Sequence, residues 1–549
     1  MKKIQLILPV IASLFIFSCS NYTDVNKNPN DVLYSNLAPS ELLSAAQSDT
    51  YRVQSITLNR LGNILTNAWS ENATIYGATI FNQQQYTLEL NSNFASSTWD
   101  NLYLKIMNFS LISKYPNPTG QYDYYVAAAK ICKAHYSQYI YDLYGNAPYS
   151  QAFMSTANVT PSYDDDQVAY RGLIADLEDA WTMIDNAQTA GTAEDISGSD
   201  IMLHGVMDNW KAFANTVELR MLMRMSGSTG AVAAYRDAHL AVVASRAFVS
   251  ADVTINPGYD GSSSASSGNP YWYNFVNSSD NIAIVPSGHA YHALFNDYPN
   301  ASTTTIPGSP SVNYPFVSDP RAAKIFKKGT GVTSIMAITQ GAQAIDVYNT
   351  TVANASSPTL KLGALGTGLS NPYSQVAATP ASNLSMVNGY VMTLTESKLL
   401  QAEAKLRGFI PGGDGGAQTD FNDAIHNSCL FLSVTSAAET TYKNAIVAKP
   451  YYGWTGSFDQ KLHAIMYQKW VGLMGINGME SYIDYVRTGF PYTPLALNTT
   501  RLNKPNRFIY AASEYTNNSA NVPSMQTNDV FTVNNFSPFW LQGDPALGN

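Results

Sequence analysis

The chain has 549 residues, room for roughly three or four average domains and a large buried core. Only 13% of them are charged and the formal net charge is -9, which excludes the basic footprint of a nucleic-acid binder and a polybasic membrane patch. Uncharged polar residues and 36 tyrosines dominate instead, a composition that suits an exported protein.

In chain order, Lys2 and Lys3 precede a continuous apolar run from Ile4 to Phe17, closed by Ser18-Cys19-Ser20. This is the pattern of a secretory signal peptide over residues 1–18, too short to span a bilayer comfortably. Ile16-Phe17-Ser18-Cys19 resembles a bacterial lipobox, which implies cleavage before Cys19 and acylation of its thiol. A multiply acylated Cys19 holds a protein on a membrane without crossing it. Residues 19–38 read as an irregular tether. Its Asp24, Asn26 and Asn28 imitate the start of a calcium loop, but Pro29 takes the turn position that needs Gly, and Ser35 takes the place of the bidentate Glu.

Residues 39–245 read as an N-terminal helical scaffold. Tyr125, Ala129, Cys132, Tyr136, Tyr139, Ile140 and Leu143 form one apolar stripe at helical spacing. Tyr170, Leu173, Ile174, Leu177, Trp181 and Ile184 form a second, opened by Asp164-Asp165-Asp166 in the capping position. Val206, Trp210, Phe213, Val217 and Met221 form a third. All three predict helix–helix core, as do Trp99 and Trp470. From 246 to 390 helical periodicity fades and Gly, Pro, Ser, Thr and Asn take over, which predicts a loop-rich lobe carried by the scaffold. Residues 391–549 return to helices and close in an irregular wrap. Thr393 and Glu396 have capping-box spacing for a helix that stops at Gly408. Further helices are expected over 417–434 and 458–474, with a continuation from Glu480. Helix pairs of about 35–45 residues predict a mainly α fold, a tetratricopeptide-like helical-pair scaffold with an irregular ligand-binding lobe. Cys132 and Cys429 fall in helical patterns and read as buried free thiols, with a pairing between them left open.

The order of several segments resembles the SusD/RagB family of nutrient-binding outer-membrane lipoproteins, closest to its SusD-like branch. They are Asp24-Val-Asn-Lys-Asn-Pro-Asn30, Tyr141-Asp-Leu-Tyr-Gly-Asn-Ala-Pro-Tyr149, Asn209-Trp-Lys-Ala-Phe-Ala-Asn215 and Glu218-Leu-Arg220. Asn269-Pro-Tyr-Trp272, Asp319-Pro-Arg321, Glu396-Ser-Lys-Leu-Leu-Gln-Ala-Glu403, Gln468-Lys-Trp470 and Asp484-Tyr-Val-Arg-Thr-Gly-Phe-Pro491 complete the series. The resemblance implies one helical unit with a ligand-facing lobe, and a TonB-dependent outer-membrane barrel as partner, over which the lipoprotein closes as a lid. It implies an oligosaccharide ligand, or in some branches a peptide. Relatives displayed at the cell surface often carry an acidic pair after the lipid cysteine, where this chain has only Asp24.

No nucleophile elbow, P-loop or His-Glu-x-x-His is present. His289 and His292 could share a helical face but lack an evident third metal ligand. Glu480, Asp484 and Arg487 at i, i+4 and i+7 read as an ion-pair network rather than a glycosidase carboxylate pair. The chain is therefore expected to be a binder, not an enzyme, with no cofactor and no metal. Pyranose rings present C–H faces that pack on flat, stiff aromatic side chains. Tyr271-Trp272-Tyr273 is the first candidate platform, read as adjacent rings on a loop that cannot all enter one core. Trp69, Asn72 and Tyr76 (with Glu71) and Trp454 are the other candidate ligand contacts. A structural lid with little ligand affinity of its own is the rival reading.

Overall fold

The computed structural model describes residues 37–71, 84–154, 157–260, 267–276, 284–296, 317–327, 337, 339–341, 364–365 and 386–547. The signal peptide, Cys19, most of the tether, Asn72 and Tyr76 lie outside the described residues, as does much of 246–390.

The scaffold opens with α1 (Pro39–Arg52), which runs through a π-helical turn, Val53–Leu58, into α2 (Asn59–Leu65). Then come α3 (Ser96–Ser113), α4 (Asp123–Tyr144), α5 (Asp166–Ala190), α6 (Met207–Arg224) and α7 (Gly230–Val243). Within 246–390 lies α8 (Gly288–Phe295), and after it come α9 (Leu394–Leu406), α10 (Gly413–Phe431), α11 (Ser436–Ile446), α12 (Phe458–Leu473) and α13 (Gly478–Thr488). Chain neighbours α3 and α4, α4 and α5, and α9 and α10 pack as pairs, so the mainly α helical-pair architecture is present. Strands are few and short: β1 (Trp69–Glu71) with β3 (Ile284–Pro286), β2 (Val253–Ile255) with β6 (Gly389–Met392), and β4 (Phe326–Lys327) with β5 (Ala364–Leu365). All three ribbons are antiparallel, and each ties the scaffold or lobe to a segment distant in sequence. Among the described residues, no helix is long and apolar enough to cross a membrane.

The three aspartates before α5 divide the work. Asp165 caps the helix by accepting the N–H groups of Gln167 and Val168 at 2.8 and 3.4 Å. Asp164 accepts from Tyr149 and Ser150, and Asp166 accepts the Phe539 N–H from the C-terminal wrap. Burial pushes the Asp166 carboxyl up to about 7. The box before α9 is only half made: Thr393 Oγ1 accepts the Glu396 N–H at 3.2 Å, but Glu396 turns to Arg220. Trp181 corrects the expected second stripe. Its ring is half-buried rather than in the core, flanked by Lys211 Nζ of α6 at 5.1 Å and Arg246 Cζ at 4.4 Å. Cys132 and Cys429 are buried free thiols.

Two glycines set the closest helix approach. A Cβ on Gly62 of α2 would lie 2.2 Å from the backbone of Gly478, and one on Gly478 would lie 2.4 Å from Asn63. Only side chains of hydrogen allow α2 and the start of α13 to meet there.

The centre of the molecule is charged. Arg220 and Arg224 of α6 meet Glu396 of α9, Asp142 of α4, and Glu480 and Asp484 of α13 at 2.6–3.4 Å. Lys469 of α12 reaches Asp484 at 2.6 Å, and Arg487 joins Asp484 to Glu403. Each of these side chains is at most 2% exposed. Burial alone would raise the carboxyls, but Arg220, Arg224 and Lys469 outweigh it and hold Glu480 down to about 2. The reading of Glu480, Asp484 and Arg487 as ion pairs holds, extended to four further helices. Pairing of this completeness is what lets a protein bury so many charges.

Candidate ligand-binding site

The buried apolar residues fall into two clusters. One fills the space between α1, α3–α7 and the C-terminal wrap. The other lies beneath the lobe and is rich in rings, joining Trp69, Tyr271, Phe275, Tyr291, Phe421, Tyr442, Tyr452, Trp454, Tyr467 and Trp470. The sequence-predicted platform sits at its edge.

Asn269 explains the local chain path. Its Oδ1 accepts the N–H groups of Tyr271 and Trp272 at 2.9 and 3.2 Å, and its carbonyl accepts that of Tyr273 at 2.9 Å. Its amide donates to the carbonyls of Val387 and Asn388, which lead into β6. A capping Asn followed by Pro270 starts a helical turn, Trp272–Val276. This corrects the loop reading of Tyr271-Trp272-Tyr273. On a helical turn, residues 271 and 275 share a face, and their ring centroids lie 5.4 Å apart. Tyr271 is 5% exposed and Trp272 8%, while Tyr273 is half-buried and keeps surface.

Trp69 is completely buried in β1, paired with Pro286, with its ring 5.3 Å from Phe275. The structure therefore brings Trp69 and Tyr271 together through Phe275, which no sequence pattern had singled out. It makes Trp69 a core residue rather than an open stacking face. Trp454 belongs to the same cluster but has other neighbours: Phe421 at 5.2 Å, Lys461 at 5.5 Å and an indole hydrogen bond to Asp414 of 3.3 Å. It is 9% exposed. Asn72 and Tyr76 lie outside the described residues. The indole N–H of Trp69 and the hydroxyl of Tyr271 are buried without a hydrogen-bond partner among the described residues. Burial pushes the Tyr271 hydroxyl above its ordinary range.

His289 and His292 lie buried on α8, and burial beside Lys504 and His292 lowers His289 to about 3. Neither belongs to a group of three ligating side chains among the described residues. What the arrangement offers is a rigid aromatic floor, with Tyr273 and the edges of Trp272 and Trp454 at its margin. Such a floor stacks apolar faces and does no covalent chemistry.

Comparison with known proteins decides the family. The family model SusD-like, described as starch-binding and associating with the outer membrane, matches residues 29–511. The chain belongs to the SusD-like family. Solved structures of the family share its fold at low identity. A chitin-binding SusD homologue from Flavobacterium johnsoniae is 20% identical with a TM-score of 0.64, over 87% of this chain and 94% of that one. A SusD homologue from Bacteroides fragilis is 18% identical with a TM-score of 0.64, over 88% and 95%. A SusD/RagB family protein from Bacteroides thetaiotaomicron is 18% identical with a TM-score of 0.64, over 93% and 100%. No curated protein matches the sequence. As a family, SusD-like proteins are carbohydrate- and nutrient-binding and associate with the outer membrane.

Proposed function

We propose that this SusD-like protein is a non-enzymatic lipoprotein of the outer membrane, anchored through Cys19 at the cell surface, that captures oligosaccharide and passes it to a TonB-dependent barrel. The observation that supports it most is the match to the SusD-like family over residues 29–511. A chitin-binding protein among the structures that share the fold favours glycan over peptide as cargo. In this reading the 19–38 segment is the tether and 246–390 the ligand-facing lobe, with Tyr273, Trp272, Tyr271 and Trp454 the rings that ligand meets first. Trp69 backs these rings, and Asn72 and Tyr76, outside the described residues, stay candidate ligand contacts in this reading. Glu480 and Asp484 are committed to cations at the centre of the scaffold, so no hydrolytic role is assigned to them.

Calorimetric titration of the detergent-solubilised protein with chito-, malto- and xylo-oligosaccharides and with oligopeptides tests the ligand. Heat from one glycan class, with a dissociation constant of about micromolar to millimolar, is expected, weakened at least about tenfold in Tyr273→Ala. Heat from peptides alone would move the cargo to the peptide class. Silence across the panel would favour the second reading, a structural lid whose cargo affinity lies in the barrel. That reading has its own support: Trp69, Tyr271, Trp272 and Trp454 are each at most 9% exposed. Cys19→Ala should release the protein from membranes, and continued partitioning would remove the anchor.

A further inference from the structure

A second cluster of chemistry-bearing side chains lies outside the aromatic cluster, where α5, α6 and α7 meet. Glu178 of α5, Glu218 of α6 and His239 of α7 each direct one donor atom to a common point, and these atoms lie within 4.8 Å of one another. His239 Nδ1 is 2.9 Å from Glu178 Oε1 and 3.5 Å from Glu218 Oε1. The Glu218 side chain is 1% exposed, and its Oε1 is buried with no hydrogen-bond partner. Its other oxygen lies 3.6 Å from Arg246 Nη1, which orients the carboxylate and turns Oε1 towards His239. The Tyr235 ring, 4.2 Å from that of His239 and itself covered by Arg171, fixes the imidazole plane.

We propose that Glu178, Glu218 and His239 form a binding site for a zinc-class divalent cation that clamps α5, α6 and α7 together. One imidazole and two carboxylates suit zinc, which binds nitrogen and oxygen donors in a tetrahedron completed by water. Calcium prefers six to eight oxygens, and magnesium keeps its water. A proton on Nδ1 can hydrogen-bond well to only one of the two carboxylates, whereas a central cation can engage both once the side chains draw in around it. Arg246 on the far side of Glu218 is the kind of outer partner that orients metal ligands. With 32% of the Glu178 side chain and 19% of the His239 side chain exposed, solvent and ion can reach the point.

The test is calorimetry of the chelator-treated full chain with zinc chloride at pH 7, with calcium and magnesium chlorides as controls. One saturable equivalent of zinc is expected, with no comparable heat from calcium or magnesium. His239→Ala and Glu178→Gln should each weaken it by about 10–100-fold. Affinity should fall about tenfold per pH unit once His239 is protonated, since zinc and proton compete for one nitrogen. Glu178 is partly exposed, so Glu178→Gln decides the matter even where Glu218→Gln fails to fold. His426→Ala removes an exposed histidine paired with Glu439 and should leave the affinity unchanged. The site is overturned by the absence of one-to-one uptake, by uptake unaltered in His239→Ala or Glu178→Gln, or by loss of uptake in His426→Ala.

Discussion

The charged centre and the aromatic floor solve burial in opposite ways. At the centre, every cation meets two or more carboxylates, those of Arg220, Arg224 and Arg487 from different helices, and polar neighbours fill in around them. Asp142 alone accepts Arg224 Nε, the Tyr170 hydroxyl at 2.5 Å and the Trp540 indole at 3.0 Å. Under the lobe, the rings pack densely, yet the Trp69 indole and the Tyr271 hydroxyl are left without partners. A region whose charges are cross-paired between several helices is held in one arrangement. A region held by ring packing, without such pairs, gives up less when it rearranges around a ligand. The scaffold is thus locked by its charges, and the site side is held mainly by shape.

The comparison breaks first at Arg224. Arg224→Met leaves Asp142, Glu480 and Asp484 short of a cation in a dry interior, a loss of about 3–5 kcal/mol. That is a large part of the 5–15 kcal/mol typical of a folded chain. Urea unfolding should show it, and a loss below about 1 kcal/mol would mean the network is not what locks the scaffold. Acid makes the same test without a mutation. Folded Glu480 sits at about 2, and Asp484 and Glu403 are also held low by neighbouring cations, whereas unfolded carboxylates titrate near pH 4. A lowered folded value means the stabilisation is complete above about pH 5 and drains away as pH falls towards 2. Glu396 and Asp142, raised by burial, titrate in the opposite sense and blunt the change above that window. Stability that stays flat between pH 5 and 3 would contradict the pairing.

A smaller effect is expected where the floor is anchored. Asn269→Ala removes the side-chain acceptor of two N–H groups and both links to the 387–388 segment. About 1–2 kcal/mol is the usual loss for a cap. The turn carrying Tyr273 should loosen with it, so glycan affinity is expected to fall with stability. Unchanged affinity at reduced stability would detach the turn from ligand binding.

How much of this was legible in the sequence follows the same division. Stripes of helical period placed α4, α5 and α6 because their packing partners recur every three or four residues. The i, i+4, i+7 spacing on α13 exposed the ion pairs, though not that Arg220, Arg224 and Lys469 from distant helices complete them. Such partners, 256 to 260 residues apart for Arg224, have no local signature. Trp181 failed because periodicity says which face a residue lies on, not whether a helix or two cations will cover it. The loop reading of Tyr271–Tyr273 failed for a different reason. Asn269-Pro270 is a helix-start signal, and reading it as part of a loop hid the cap that directs two of the rings inward. The order of the family segments was the more informative pattern for function, because residues 29–511 carry it as a whole.

The finest test compares two tyrosines. Tyr170 donates to Asp142 at 2.5 Å in the charged centre, and Tyr271 has a buried hydroxyl with no acceptor. Tyr170→Phe removes a hydrogen bond to a charged group and should lower stability by about 1.5–3 kcal/mol. Tyr271→Phe removes only a group whose desolvation nothing repays, so it should be neutral or stabilising by up to about 1 kcal/mol. The ring and its packing on Phe275 are kept in the second variant, so any change reports on the hydroxyl alone. Matched urea titrations decide between them. Equal losses in both would mean that the Tyr271 hydroxyl finds an acceptor in solution. A stable Tyr271→Phe protein that binds glycan less well would instead assign the unpaired hydroxyl to the ligand.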